Sequence, residues 1–315
     1  MKKLLFVVIV ALTVVGCARR PAYDDLQREL DGYVAALGNS ADVGIAVIID
    51  GKDIVAVNGD RPFPMLSVYK IPIAMAVAEK CRVRQLSLSD SCLVYADALH
   101  PDTYSPMLQR YDAVGADGVA IALRELLEYS MQQSDNNASD ILLDWVGSAP
   151  EADGYIAGLG VRGIDIVWSE DEMYADNSRA YDNTSTPRAM ASLFWRFHRE
   201  FTDSISLELK RMMETCLTGT DRLAAPLREL DGVILGHKTG TGFRLPDGRL
   251  MAVNDAGYVV NPYGPDYSIA IFVANSSSDM AATSAIIADL SAIVARRLIG
   301  RQAQGVELGR GQGSG

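Results

Sequence analysis

The sequence has 315 residues, of which 49% are hydrophobic, and its formal net charge is −11. A chain of this length and apolar content can bury a large core, which argues against intrinsic disorder. The acidic charge repels a polyanion, so nucleic acid is a poor partner. The three histidines and four cysteines show no metal-ligand spacing, which disfavours a zinc enzyme. No metal or organic cofactor is predicted.

The N-terminus has the pattern of an export signal covering residues 1–16. Lys2 and Lys3 precede a run of apolar residues that is too short to span a bilayer. The run ends at Cys17 in a pattern that resembles the processing box of bacterial lipoproteins, so Cys17 is the predicted lipidated N-terminus. We expect a periplasmic monomer that contacts the membrane only through this lipid. Ordinary cleavage near Ala18, which would leave a secreted protein without lipid, is the alternative.

Helical spacing of apolar residues predicts a first helix from Tyr23 to Leu37. Two β-rich segments follow, Val43 to Ile49 and Ile54 to Val57. The sequence Asp50-Gly51-Lys52 between them is typical of a hairpin turn. The chain after the signal therefore begins with a helix and two antiparallel strands.

The central part of the chain has a helical pattern, and the C-terminal part returns to strands. The predicted central helices are Ile71 to Cys81, Val119 to Gln132, Ala138 to Val146 and Pro187 to Phe201. The predicted C-terminal elements are strands Val233 to Lys238, Met251 to Val260 and Ser268 to Ala274, followed by a helix from Met280 to Leu298.

This order predicts an α+β fold in which both chain ends build one domain. Residues 17–66 and 214–300 would form an antiparallel sheet flanked by the terminal helices, and residues 67–213 would form an all-helical domain. A ligand site is expected in the crevice between the two. The glycine-rich residues 301–315 are predicted to be a disordered tail.

Three short motifs occur in a fixed order along the chain: Ser67-Val68-Tyr69-Lys70, Ser134-Asp135-Asn136 and Lys238-Thr239-Gly240. Each alone is a weak signal. Their predicted contexts are the start of a helix, a loop between two helices and the end of a strand. The order and these contexts favour a nucleophilic acyl-transfer site over three unrelated occurrences.

The first motif provides a nucleophile and a base. Three residues of spacing place the Lys70 ammonium on the helix face of the Ser67 hydroxyl. A serine needs such a neighbour because its hydroxyl is a poor nucleophile at its own pKa. A backbone N–H of Ser67 at the helix start can stabilise an oxyanion. Without the other motifs, Ser67 would be interpreted as an ordinary helix cap.

The other two motifs supply a proton carrier and an anion site. Ser134 can pass a proton to a leaving nitrogen and Asn136 can bind a substrate amide, although both could simply cap the next helix. Lys238 is suited to a substrate carboxylate, with a solvated edge charge as the alternative. Gly240 permits close approach to the strand, and the N–H of Thr241 can be the second oxyanion donor.

With these motifs the sequence resembles the class A serine β-lactamases over essentially its whole mature length, which implies the fold shared by serine β-lactamases and DD-peptidases. Tyr104-Ser105-Pro106 resembles the segment whose tyrosine flanks the substrate cleft. The segment from Thr218 to Arg222 resembles the segment that precedes the Lys-Thr-Gly strand in one branch of the family. This branch contains many cephalosporinases and extended-spectrum enzymes. The resemblance implies that Arg222 and the residues Lys238 to Thr241, including Thr239, bind substrate. A surface salt bridge is the alternative role for Arg222.

The family also carries an omega-shaped loop, expected here near residues 165–183, that holds a glutamate for deacylation. The best match is Glu170, with Glu172 as its rival. Two positions depart from the family pattern: Tyr174 stands where an asparagine is usual, and the usual arginine-to-aspartate brace falls on Trp168 and Asn183. The loop is therefore expected to be held in a different way.

The resemblance implies hydrolysis of β-lactam antibiotics through a Ser67 acyl-enzyme, with a preference for cephalosporins. A penicillin-binding DD-peptidase and a non-catalytic penicillin-binding lipoprotein are the alternatives. In an oxidising compartment Cys81 and Cys92 could pair, since they are close in sequence, which would leave Cys216 as a buried free thiol.

Overall fold

The computed structural model describes residues 23–300. The predicted signal segment, the lipidation site at Cys17 and the tail 301–315 lie outside the described residues. Within the described part, none of the helices has the length and apolar character that a bilayer span requires.

A five-stranded antiparallel sheet is made from both ends of the chain, in the order β2-β1-β10-β9-β8. The inner strands β1 and β10 are almost entirely buried because both faces of the sheet are covered. The strands are β1 (Asp42–Ile49), β2 (Asp53–Val57), β8 (Ile234–Thr241), β9 (Leu250–Val260) and β10 (Tyr267–Ser276).

Helices cover both faces of this sheet. On one face α1 (Asp24–Leu37) and α10 (Met280–Leu298) pack against Val43, Ile45 and Val47 of β1 in one apolar core. Side chains of alternate residues such as Ala46 and Ile48 point to the opposite face, where they join a second core with the remaining helices. The predicted α+β architecture with terminal helices on an antiparallel sheet is confirmed.

The helical part of the chain is centred on α2 (Lys70–Arg84), whose residues from Lys70 to Ala78 are all buried. The other helices pack around it in the second core. They are α3 (Leu108–Tyr111), α4 (Leu123–Gln132), α5 (Asn136–Val146), α6 (Ala149–Gly158), α7 (Glu170–Ala175), α8 (Pro187–Glu200) and α9 (Ser204–Glu214).

The insert predicted to be all-helical is mostly helical but also contains short strands. β4 (Ser91–Val94) pairs with β5 (Val119–Ala122). The helix predicted from Val119 therefore begins only at Leu123, after four residues that the strand partner holds extended. A second small sheet joins the two parts of the fold and consists of β3 (Phe63–Pro64), β6 (Ile164–Asp165) and β7 (Thr184–Ser185).

The cysteines of the described residues are free thiols. Cys81 is fully buried on α2, whereas Cys92 lies partly exposed on β4 opposite Ile121. The pairing of Cys81 with Cys92 considered from the sequence is therefore not formed. Cys216 is also free, but it is partly exposed rather than buried.

Candidate active site

A cavity of about 540 Å³ lies where β8 meets the helical part of the chain. The three sequence motifs and the Glu170 segment converge there, although they are far apart along the polymer. The lining residues are Leu66, Ser67, Thr103, Tyr104, Ser134, Asn136, Glu170, Met173, Tyr174, Asn177, Ala180, Thr218, Thr239, Thr241, Gly242 and Phe243.

Ser67 lies in a short 3₁₀ turn that leads directly into α2. Leu66 before it has a φ of 48°, a strained left-handed conformation for a leucine. A Cβ atom at Gly240 would lie 2.6 Å from the carbonyl oxygen of Met65 and 3.3 Å from the Ser67 nitrogen. Gly240 therefore allows β8 to lie against the backbone of the nucleophile turn, and the space it leaves is filled by this turn rather than kept for a ligand.

Lys70 is fully buried and connects three segments of the site. Its Nζ donates to the carbonyl oxygen of Ser134 at 2.8 Å and to Oδ1 of Asn136 at 2.7 Å. It also forms an ion pair with Glu170, with 3.0 Å between Nζ and Oε1. The ammonium group thus lies between the second motif, which holds it through carbonyl and amide oxygens, and the glutamate, with which it can exchange a proton.

Lys238 is also fully buried, which excludes a solvated edge charge. Its Nζ donates to Ser134 Oγ at 2.8 Å and to the carbonyl oxygen of Thr239 at 3.0 Å. Burial, together with the charge of Lys70, lowers the pKa of Lys238 to about 7. In the absence of a bound anion, Lys238 is therefore a titratable group at neutral pH rather than a permanent charge.

The second motif is a tight turn between α4 and α5. Ser134 has a φ of 62°, and its hydroxyl is the acceptor for Lys238. Asp135 caps α5, because its carboxylate accepts from the N–H of Ala138 at 2.8 Å. The amide of Asn136 donates to Thr103 Oγ1 at 2.8 Å. Capping and site formation are therefore combined in one tripeptide.

The Tyr104 segment is fastened to the second motif. The carbonyl oxygen of Tyr104 accepts from the N–H of Asn136 at 3.0 Å. The hydroxyl of Ser105 lies 3.0 Å from each carboxylate oxygen of Asp135, and the N–H of Met107 donates to Asp135 at 2.7 Å. The Tyr104 side chain is 61% exposed and forms a wall of the cavity.

The geometry separates Glu170 from its rival Glu172. Glu170 lines the cavity, and its side chain is 13% exposed. The Glu172 carboxylate instead accepts from the N–H of Ser169 at 3.0 Å in a capping box at the start of α7. Glu172 is thus used in holding the helix, and Glu170 is the carboxylate that lies beside Lys70.

Asp140 is a residue of the site that sequence reasoning missed. Its two carboxylate oxygens accept from the N–H groups of Glu170 and Asp171, each at 2.8 Å. Burial and the nearby Glu170 charge raise the pKa of Asp140 to about 7. The only available signal was an acidic residue one helical turn after the second motif.

The segment between residues 165 and 183 is braced by an amide instead of an ion pair. Asn183 is fully buried, and its Oδ1 accepts from the N–H groups of Val167 and Trp168 at 2.8 and 2.9 Å. Its Nδ2 donates to the carbonyl oxygen of Trp168 at 2.8 Å. The side chain of Tyr174 is 56% exposed on the cavity wall.

Arg222 is buried behind β8 and does not line the cavity. It donates to the carbonyl oxygens of Gly240 and Asn254, each at 3.0 Å, and to Thr241 Oγ1 at 2.7 Å. The alternative of a surface salt bridge is wrong, because the side chain is 6% exposed. Arg222 therefore holds Thr241, which does line the cavity.

A serine on a helix start, two buried lysines and a carboxylate in one crevice define a serine acyl-transfer enzyme. The model of the family described as "Beta-lactamase enzyme family" matches residues 25–298. The chain therefore belongs to this family.

Curated relatives and solved structures agree with this assignment. A "Beta-lactamase" of Bacteroides uniformis is 35% identical, over 91% of this chain and 97% of its own length. "Extended-spectrum beta-lactamase PER-1" of Pseudomonas aeruginosa is 30% identical, over 84% and 85%. A class A β-lactamase structure from Bacteroides cellulosilyticus DSM 14838 has a TM-score of 0.81 at 32% identity, over 89% of this chain and 99% of that one. The protein is a class A serine β-lactamase.

Proposed function

We propose that the protein hydrolyses β-lactam antibiotics through an acyl-enzyme on Ser67 that Glu170 helps to hydrolyse. The observation that carries this proposal is the position of the Lys70 ammonium, 3.0 Å from Glu170 Oε1 and 2.8 Å from the Ser134 carbonyl oxygen, under the cavity that Ser67 lines. A buried lysine, a carboxylate and a nucleophile thus meet at one cavity.

Acylation begins when the Ser67 oxygen attacks the lactam carbonyl carbon. Lys70 takes the hydroxyl proton after passing one of its own protons to the Glu170 carboxylate beside it, or a water held by Glu170 takes the hydroxyl proton. The backbone N–H groups of Ser67 and Thr241 stabilise the oxyanion, a contribution of roughly 10² to 10³ in turnover per donor. The C–N bond then breaks, and Ser134 protonates the ring nitrogen. Ser134 is supported in this role by its hydrogen bond with Lys238, which can replace the proton.

Deacylation requires a base that removes a proton from water, because the ester would otherwise persist. Glu170 is proposed as this base. The carboxylate of Asp140 fixes the backbone on which Glu170 stands, and Asn183 replaces the missing ion pair of the loop. Tyr174 stands at the position of the usual asparagine.

We further propose a preference for cephalosporins. Lys238, Thr239 and Thr241 would bind the substrate carboxylate, and the exposed rings of Tyr104 and Tyr174 would contact the acylamino side chain. The volume of the cavity, about 540 Å³, supports binding of bulky substrates. Rates with a matched penicillin and cephalosporin pair test this preference.

We also propose that the protein is exported and lipidated at Cys17. It would then act as a monomer at the periplasmic face of a membrane. The pattern of residues 1–17 supports it. Intact-mass analysis of the mature N-terminus tests the lipid, and an unmodified Ala18 would contradict it. Light scattering of the purified protein tests the monomer.

The mechanism is tested with a pair of matched variants, Glu170→Gln and Glu172→Gln. Glutamine at 172 keeps the capping box, so this variant is expected to turn over like the parent. Glu170→Gln is expected to become acylated by a chromogenic cephalosporin and to retain the adduct in intact-mass spectra. Ser67→Ala is expected to form no adduct. Parental turnover of Glu170→Gln without an adduct would contradict the deacylation role.

A slow release of penicillin by the parent enzyme itself would indicate a DD-peptidase instead. In that case the parent would show the same persistent adduct as Glu170→Gln. The parent and the variant would then release the bound penicillin at similar rates. Rapid turnover by the parent and a trapped adduct in the variant support hydrolysis.

A further inference from the structure

Cys216 lies outside the catalytic constellation, on the segment between α9 and the cavity wall. Its sulfur is 3.4 Å from Thr218 Oγ1 and 3.7 Å from the Thr218 carbonyl oxygen. The residue as a whole is partly exposed, and alkylation measures the access of a small reagent to its sulfur. None of the proposed hydrolytic steps uses this thiol.

A buried histidine and aspartate stand behind the thiol. His237 is 4% exposed, and its Nδ1 is 2.9 Å from Oδ1 of the fully buried Asp255. The other oxygen of Asp255 accepts from the N–H of Leu223 at 3.1 Å. Because Asp255 is fixed on both sides, it orients the imidazole and leaves the second ring nitrogen for Cys216, with which His237 hydrogen-bonds.

The charges in this cluster favour a thiolate. Burial alone would raise the pKa of Cys216, but the hydrogen bond and charge of His237 lower it to about 7. Burial likewise opposes protonation of His237, but Asp255 and Cys216 raise its pKa to about 10. Lys238 also lowers the Cys216 pKa, and Arg222 faces the same sulfur. The sulfur is thus influenced by cationic groups of β8 and by Arg222 on the segment that precedes this strand.

The other cysteines of the described residues lack this arrangement. Burial raises the pKa of Cys81 to about 11 and also raises that of Cys92. A metal site does not explain the cluster, because no three His, Cys, Asp or Glu side chains within residues 23–300 are placed to hold an ion. The cluster instead has the arrangement of an activated thiol, in which Cys216 is the nucleophile, His237 is its base and Asp255 orients the base.

We propose that Cys216 is a covalent modification site for small electrophiles and low-molecular-weight disulfides, and that its adduct impairs the adjacent substrate cavity. With a disulfide, the Cys216 thiolate attacks one sulfur, a new S–S bond forms and the other half leaves as a thiolate. No further oxidant is needed, and an added thiol reverses the exchange.

The path from adduct to cavity is short. Thr218 Oγ1, which contacts the sulfur, is 2.6 Å from Thr239 Oγ1, and both residues line the cavity. A Cβ at Gly219 would lie 2.3 Å from the Thr239 side chain, so this segment packs tightly on β8. An adduct on Cys216 therefore displaces Thr218. This displacement disturbs Thr239, which belongs to the proposed site for the substrate carboxylate.

The first test measures alkylation rates of the full-length protein with iodoacetamide by peptide mapping. At pH 7 about half of a thiol of pKa 7 is ionised, against about 1% of a thiol of pKa 9. The more acidic thiolate is also the weaker nucleophile. After correction for this difference, Cys216 should react roughly fivefold faster than a thiol of pKa 9. Cys92 is the internal control, because it is also partly exposed but has no basic partner.

The dependence on His237 is tested with His237→Gln, in which the rate at Cys216 should fall to that of Cys92 or below. Equal rates at Cys216 and Cys92 in the parent protein would overturn the activated thiol. So would a His237→Gln protein, folded by circular dichroism, in which Cys216 still reacts at the parental rate. These measurements do not depend on β-lactam hydrolysis.

The second test follows hydrolysis of a chromogenic cephalosporin after treatment with oxidised glutathione. The parent enzyme should lose at least about tenfold in kcat/KM in proportion to adduct at Cys216, and dithiothreitol should restore it. Cys216→Ser, which retains a small polar side chain, should keep its activity before and after treatment. Full activity of a stoichiometric Cys216 adduct would overturn the proposed effect on the cavity.

Discussion

Replacement of Asp135 by alanine perturbs the link between the second motif and the Tyr104 wall. The fully buried carboxylate accepts from the N–H of Ala138 at 2.8 Å and from the N–H of Met107 at 2.7 Å. Loss of the helix cap costs about 0.5 to 2 kcal/mol. The buried Met107 N–H left without an acceptor costs about a further 1 to 3 kcal/mol. The free energy of unfolding should therefore fall by about 1.5 to 5 kcal/mol.

Asp203 provides the matched control. It caps α9 through the N–H groups of Ile205 and Ser206, each at 3.1 Å, but it is exposed, so water can replace its side chain. Asp203→Ala should cost only about 1 kcal/mol. Urea unfolding followed by circular dichroism measures both values, and the slope of free energy against urea concentration checks that the transitions remain comparable.

The activity of Asp135→Ala should fall together with its stability, because Ser105 and Met107 lose their anchor and the Tyr104 wall moves. Measured at a temperature where the variant is folded, kcat/KM should decrease while Asp203→Ala stays at the parental value. Equal losses of unfolding free energy in the two variants would refute the reasoning from burial.

Three other perturbations test separate features of the site. The kcat/KM of the parent should fall as the pH rises through about 7, because Lys238 loses its proton there, and Lys238→Arg, which stays charged, should move this limb to higher pH in a pH–rate profile. Gly240→Ala should lower the free energy of unfolding by about 1 to 3 kcal/mol, because its Cβ meets a backbone carbonyl oxygen at 2.6 Å. Gly32→Ala on α1, with open space around it, should be neutral or stabilising in the same unfolding experiment. Arg222→Lys should lower kcat/KM at least roughly tenfold in steady-state assays, because two different guanidinium nitrogens bind the two carbonyl oxygens and Thr241, and the single ammonium nitrogen of lysine cannot occupy both positions.

The sequence was sufficient for features that depend on local pattern. The amphipathic first helix, the hairpin of β1 and β2 and the C-terminal strands follow from periodicity and turn residues, and they lie at the predicted places. β5 was missed because its four residues are extended only through pairing with β4, which is distant in sequence.

The site shows the same division between local and non-local information. The motif order identified the segments that meet, but it could not show that Arg222 points behind β8 or that Asn183 replaces an ion pair. Asp140, His237 and Asp255 carry no recognisable spacing. Their roles arise from side chains that only the folded chain brings together.

The pairing of β1 with β10 affects how the protein can be made. All eight residues of β1, from Asp42 to Ile49, find their partners between Tyr267 and Ala274. A nascent polypeptide that has emerged only as far as β9 thus offers an apolar strand edge with no complement, which favours association with other chains. Completion of the catalytic unit must await the last strand, so a premature stop codon before Tyr267 should give aggregated or degraded product instead of a weakened enzyme.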